Sequence, residues 1–222
     1  MAEIVPTVLG STPQEYGAML ERVQKLSGRV HIDIADGEFA PNTTINLAQS
    51  YWDEQVRADM HLMINKPGMR AEICISLKPS LVILHAEATD YGYVSKAEMI
   101  EQLQAVGIRT GIALLPNTAV QTAEELVKRV NHVMLFAGKL GHYGGQMDKS
   151  VLQKIPQLRA LNQDLEIGLD GGVNYENAEE AVKAGVDVLN VGGYIQKADD
   201  PKKAYDKLVQ IIKGVGSDRS GT

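Results

Sequence analysis

Val30-His31-Ile32-Asp33-Ile34-Ala35-Asp36-Gly37 alternates apolar with ionisable residues and then breaks at Asp-Gly, the pattern of a strand running into a turn. Successive side chains on a strand point to opposite faces, so Ile32 and Ile34 share one face while His31, Asp33 and Ala35 share the other. An imidazole and a carboxylate side by side are costly to bury unless something there needs them, such as a metal ion or a proton. The rest of the chain reads as the scaffold that brings partners to this pair.

Outward from that strand, apolar runs recur at 3–9, 56–63, 81–85, 108–115, 133–137, 165–170 and 186–191. Helical patterns lie between them, over 13–26, near 45–52, over 67–77 and 95–106, and in a stretch ending about 129. Three more follow: 148–161, where Pro156 should kink or split the helix, 175–184, and a last helix over about 201–213. Thr12-Pro13-Gln14-Glu15 carries a capping Thr, a first-turn proline and a Glu three residues on. No linker or change of composition interrupts the series, and the tail from about 214 is expected to fray. Alternation of this kind requires a parallel sheet covered by helices, and eight units favour closure into a single (β/α)8 TIM barrel spanning residues 1–222. The rival is a doubly wound open sheet, but no Gly-x-Gly-x-x-Gly sits in the first strand–helix turn.

Composition narrows the class. The chain is 44% hydrophobic with a net charge of −6, and its two Phe and one Trp make a poor stacking platform, so a nucleic-acid partner is not expected. No run has the length of a membrane span and the N-terminus lacks the blocks of a signal peptide. Cys74 is the single cysteine, which excludes an internal disulfide and a thiolate metal cage. A cytoplasmic enzyme acting on a small molecule, with no membrane partner, is the class these bounds favour.

A barrel gathers its catalytic groups at the carboxyl ends of its strands. There the second strand offers His31 and Asp33, the third His61, the fourth His85 with Glu87 beyond it, and the seventh Asp170. His31, Asp33, His61 and Asp170 make a set of two imidazoles and two carboxylates. It suits one divalent ion of zinc, iron, manganese or cobalt and suits magnesium poorly. Asp33 and Asp170, nearly opposite across a barrel, are spaced for a two-base proton shuttle at a carbon next to a carbonyl. Gly144-Gly145, Gly171-Gly172 and Gly192-Gly193 end three adjacent strands, and their N–H groups are expected to cradle a phosphate. His85 is expected to orient a ligand or a lid, and His142 with Tyr143 lies in the glycine-rich loop, facing either ligand or solvent. His132, ahead of the sixth strand, reads as structural; Met63 is expected to line the pocket.

Several segments carry a resemblance to a known family. They are His31-Ile32-Asp33-Ile34-Ala35-Asp36-Gly37 with Phe39-Ala40-Pro41-Asn42, then His61-Leu62-Met63 and His85-Ala86-Glu87-Ala88. Leu115-Pro116-Asn117-Thr118, Gly144-Gly145-Gln146 and Asp170-Gly171-Gly172-Val173 continue the series. In order and spacing they resemble the ribulose-phosphate 3-epimerase family over about residues 5–195. The resemblance implies that His31, Asp33, His61 and Asp170 are divalent-metal ligands and that Asp33 and Asp170 are the acid–base pair. It implies a sugar-phosphate substrate, with D-ribulose 5-phosphate and D-xylulose 5-phosphate interconverted by inversion at C3, and a homo-oligomer, either dimer or hexamer. Close relatives act on ketohexose 6-phosphates such as D-allulose 6-phosphate.

The chain departs from the family pattern where the substrate would lie. Thr7 replaces a common serine, and Ala35 and Ala137 replace two methionines of an apolar cap that keeps Met63, so a wider pocket is expected. Leu140-Gly141-His142-Tyr143, preceded by Lys139, stands for Asn-Pro-Gly-Phe, and Gly192-Gly193 for Gly-Ser. A decarboxylase or aldolase-type synthase on this barrel would need Asp-x-Lys-x-x-Asp on the third strand, and Asp59-Met60-His61 has no lysine there. The other alternative is a non-catalytic sugar-phosphate binder descended from an epimerase; the retained aspartates and histidines weigh against it.

Overall fold

The computed structural model describes residues 2–90, 92–142 and 145–219, the last four by backbone alone. Eight strands pair in parallel with their neighbours in sequence: β1 (Glu3–Val8), β2 (Arg29–Ala35), β3 (Arg57–Met63), β4 (Leu81–His85), β5 (Arg109–Leu114), β6 (His132–Phe136), β7 (Glu166–Asp170) and β8 (Val188–Val191). β8 closes on β1, so the sheet is the expected barrel and not an open one. Around it lie α1 (Pro13–Val23), α2 (Ala71–Leu77), α3 (Lys96–Ala105), α4 (Glu124–Val127), α5 (Ile155–Leu161), α6 (Ala178–Ala184), α7 (Gly193–Gln196) and α8 (Pro201–Arg219). None of these helices is long and apolar enough to cross a membrane.

Local chemistry explains the helix ends. The Thr12 side chain accepts from the Glu15 N–H, and the Glu15 carboxylate accepts from the Ser11 N–H, which satisfies two donors at the start of α1. Pro156 begins α5 within its first turn, where its missing N–H is harmless, so the 148–161 pattern divides into a 3-10 turn, Lys149–Lys154, and a separate helix. The stretch near 45–52 is only a 3-10 turn, Leu47–Gln49, and the one ending near 129 is another, Val120–Ala123, followed by the single turn of α4. At the C-terminus the helix does not end near Lys213: α8 continues through Gly214 to Arg219. Its buried Leu208, Ile212 and Val215 extend one apolar stripe across that glycine.

Every residue of β2 is buried, because helices cover one strand face and the barrel interior the other. Alternation therefore sorts side chains by layer. Val30, Ile32 and Ile34 join the apolar layer beneath the helices, while β2 and β3 pair in a register that sets Asp33 beside His61. Inside the barrel, Leu81, Ile83, Ala113, Met134 and Phe136 form a plug.

The amino-terminal end of the barrel is built on Arg29, which is 1% exposed. Its Nε donates to Asp59 at 2.7 Å, and its Nη1 and Nη2 fork onto Glu166 at 3.1 and 2.9 Å, with Glu3 also 3.0 Å from Nη1. Burial alone would lower the guanidinium pKa, but hydrogen bonds to Glu166 and the charges of Asp59 and Glu166 hold it above its usual value. His132 sits at this end as expected of a structural residue, 2.8 Å from Glu166 through Nδ1. It fits because position 168 is glycine: a Cβ there would lie 2.7 Å from His132 Nε2. Asp59 is thus tied to Arg29 at the floor of the barrel, while its charge still reaches His31 on the neighbouring strand.

Candidate active site

At the opposite end, β2, β3 and β7 bring His31, Asp33, His61 and Asp170 together, all buried, with one ligand atom from each inside a 4.8 Å span. His61 Nδ1 lies 2.7 Å from Asp33 Oδ1, and His31 Nε2 lies 3.2 Å from the same oxygen. Neither ring nitrogen of His31 makes a well-formed hydrogen bond, although the residue is fully buried. An orphaned imidazole aimed at a carboxylate that a second imidazole already contacts is a donor set that a divalent cation satisfies.

The two carboxylates differ. Burial would raise both pKa values. For Asp33, contacts from His31 and His61 overcome it and hold the acid well below the usual carboxylate range. For Asp170, burial and the Asp33 charge act together and push it up to about 7, against smaller opposing effects of His31 and the Gly171 N–H. Burial lowers His61 to about 4, whereas Asp33 raises His31 above its ordinary value despite complete burial.

Above these residues opens a cavity of about 260 Å³. Of the residues expected to hold substrate, Thr7, Met63, Gly145, Gly171, Gly172, Gly192 and Gly193 line it, with Asp33, Asp170 and His142. His85 lies one ring behind His61, outside the lining. Gly144 and Tyr143 fall outside the described residues. Gly171 and Gly172 have φ of +100° and +73°, and a Cβ on Gly171 would strike the backbone of Gly138, so the turns after β6 and β7 approach this closely only with glycine. Gly193 opens α7, a single turn that the sequence reading did not include.

Neither Ala35 nor Ala137, where a wider pocket is expected, lines the cavity itself. Leu9, Phe39 and Leu140 pack against Ala35, Ala40 and Met63. Asn42 clasps the loop that carries Leu140: its Nδ2 donates to the Gly141 carbonyl at 2.6 Å and lies 3.2 Å from His142 Nδ1. Sequence reasoning also missed Asn190, whose buried Oδ1 lacks a partner beside Asp170, and Lys197, which reaches the rim from the end of α7. Asn190 had a readable signal: it is the polar residue in the apolar run Val188-Leu189-Asn190-Val191.

Comparison with known proteins bears directly on this arrangement. The family model described as "Ribulose-phosphate 3 epimerase family" matches residues 3–196. The chain belongs to the ribulose-phosphate 3-epimerase family. It is 30% identical to the ribulose-phosphate 3-epimerase of Helicobacter pylori over 219 residues, 94% of this chain and 97% of that one. It is also 30% identical to the Bacillus subtilis protein of the same name, over 94% of this chain and 98% of the other. Among solved structures, the 3-hexulose-6-phosphate synthase of Salmonella typhimurium superposes with a TM-score of 0.68 over 96% of this chain and 99% of that one. At 13% identity that likeness is one of fold. As a member of an epimerase family the chain is an isomerase of carbohydrate metabolism, with a buried His–Asp–His–Asp cluster able to chelate a divalent ion.

Proposed function

We propose that this epimerase inverts C3 of a ketose phosphate, D-ribulose 5-phosphate to D-xylulose 5-phosphate, with His31, Asp33, His61 and Asp170 as ligands of one divalent ion. The observation that carries the reading is two buried carboxylates of opposite protonation preference lining one cavity, within 4.8 Å of two buried imidazoles. The mixed nitrogen and oxygen donors fit zinc, iron(II), manganese or cobalt better than magnesium. When bound, the ion would polarise the ketone and hydroxyl oxygens of the substrate and lower the energy of the enediolate.

The protein residues divide the proton work. The Asp33 carboxylate, held ionised, removes the C3 proton and leaves an enediolate; the Asp170 carboxylic acid returns a proton to C3 from the other face. Asp33 ends protonated and Asp170 ionised, the starting state for the reverse reaction. The phosphate lies against the N–H groups of Gly172, Gly192 and Gly193, at the loops after the seventh and eighth strands where barrels of this type bind phosphate. Thr7, Met63 and Phe136 line the sugar's path between these ends.

The test is incubation of the metal-loaded protein with D-ribulose 5-phosphate in deuterated water. Xylulose 5-phosphate carrying deuterium at C3 is expected. Chelation should abolish the exchange, and zinc, manganese, cobalt or iron(II) should restore it. Exchange with D-allulose 6-phosphate but not with the pentulose would move the assignment to a hexulose phosphate; no exchange with either would end it.

A further inference from the structure

Behind His61 a line of contacts runs away from the cavity. His61 Nε2 lies 2.8 Å from His85 Nε2, and His85 Nδ1 lies 3.3 Å from Glu87 Oε2. Both imidazoles are fully buried, with the Phe39 ring 4.6 Å from His85 and Phe136 about 6 Å from each. Glu87 ends the line as an acceptor: Oε1 takes the Leu115 N–H at 2.9 Å, and Thr118 donates to the same carboxylate. Lys96, 5% exposed, donates to the Ala86 and Ala88 carbonyls on either side of Glu87, and Lys154 donates to the Leu115 carbonyl at 2.6 Å. Burial works against ionisation of Glu87, yet its hydrogen bonds from His85, Thr118 and Leu115 bring it down to about 2.

Counting hydrogens sets the direction of this line. Three contacts join Asp33, His61, His85 and Glu87, and each places two electronegative atoms together, so each needs a proton or a cation between them. Two neutral imidazoles supply two protons. Ionised Asp33 and ionised Glu87 can each only accept, so the count leaves one of the two end contacts without a proton. A divalent cation between His61 Nδ1 and Asp33 fills that end. The two protons are then on His85 Nδ1, toward Glu87, and on His61 Nε2, toward His85 Nε2.

We propose that Glu87, acting through His85, sets the tautomer and ring orientation of His61 and so presents its bare Nδ1 to a divalent cation shared with Asp33. His85 and Glu87 are positioning residues for the metal, and the inference rests on the metal site proposed above. Outer partners of ligating imidazoles commonly have this role.

Long-range proton–nitrogen NMR correlations report imidazole tautomers, and competition with a chromophoric chelator reports zinc affinity. The zinc-loaded wild-type protein should show His85 protonated on Nδ1 and bare on Nε2. In Glu87→Gln the amide oxygen stays with the Leu115 N–H, so the amide nitrogen faces His85 and drives its proton to Nε2, against the proton of His61. Zinc should then bind roughly 10- to 100-fold more weakly, and the visible spectrum of the cobalt-loaded protein should change. A zinc-loaded wild-type His85 protonated on Nε2 overturns the proposal with no variant needed. So does a Glu87→Gln zinc affinity within about threefold of wild type. Normal zinc binding and tautomers without C3 exchange would instead refute the epimerase substrate and leave this inference standing.

Discussion

Asp33 and Asp170 reach one cavity from β2 and β7 with ligand atoms inside a 4.8 Å span, and their surroundings drive them in opposite directions. Contacts from His31 and His61 keep Asp33 ionised, while burial and the Asp33 charge leave Asp170 its proton up to about pH 7. Two carboxylates with separated proton affinities are what an acid and a base need at one carbon.

Asp33→Asn and Asp170→Asn would each remove one of the two proposed proton-transfer groups with almost no change of volume. The expected loss in kcat is on the order of 10²- to 10⁴-fold for each. Far-ultraviolet circular dichroism and Tm should show the fold intact. Turnover near the wild-type rate in either variant would mean that the proton passes through another group.

The raised Asp170 has a consequence for stability in the metal-free protein. Between the ordinary carboxylate range and about pH 7 the folded chain holds a proton that the unfolded chain has released, so stability falls as pH rises through this window. About three pH units of displacement correspond to a few kcal/mol, roughly 4 at most. His61, lowered to about 4, acts in the opposite sense over the same range, so the Asp170 contribution is read as a difference. Urea unfolding in chelator at pH 4.5 and 7.5 should show wild-type stability falling relative to that of Asp170→Asn. An equal change in both would place its source elsewhere.

Arg29 holds the floor of the barrel through Asp59, Glu166 and Glu3. Arg29→Met would leave Asp59, 1% exposed, as a buried charge without its partner, at a cost of about 3–5 kcal/mol. Adding Asp59→Leu should recover much of that loss, because the pair is then replaced by apolar packing. Urea denaturation of the two variants measures both numbers.

Gly171→Ala places a Cβ against the Gly138 backbone at a φ of +100°. The turns after β6 and β7 must separate to admit it, which displaces Asp170 and the N–H groups beside it. A loss of about 1–3 kcal/mol in stability, with a fall in kcat/KM larger than any fall at Gly145→Ala, where a Cβ meets open space, is expected. Steady-state kinetics on the two variants make the comparison.

The alternation of strands and helices was legible along the chain because both periods are local: two residues on a strand, three to four on a helix. His31 and Asp33 could be assigned to one face for the same reason, and the grouping of His31, Asp33, His61 and Asp170 followed from where strands end. Helix character was less legible. Nothing in 120–127 or 149–154 announces a 3-10 turn, because the choice depends on how the following helix docks. The extension of α8 past Gly214 came from a stripe whose partners, α6, α7 and β1, are brought to it only by the fold.

By itself, the sequence determined the barrel, its order of strands and which ionisable residues reach the mouth, since each depends on neighbours a few positions apart. Tertiary structure alone decided the partners of those residues. Arg29 meets Glu166 across 137 positions, Asn42 meets Gly141 across 99, and His61 meets His85 across 24. Closure of the sheet creates these contacts, and with them the different proton affinities of Asp33 and Asp170, because burial and charge act through space and not along the chain.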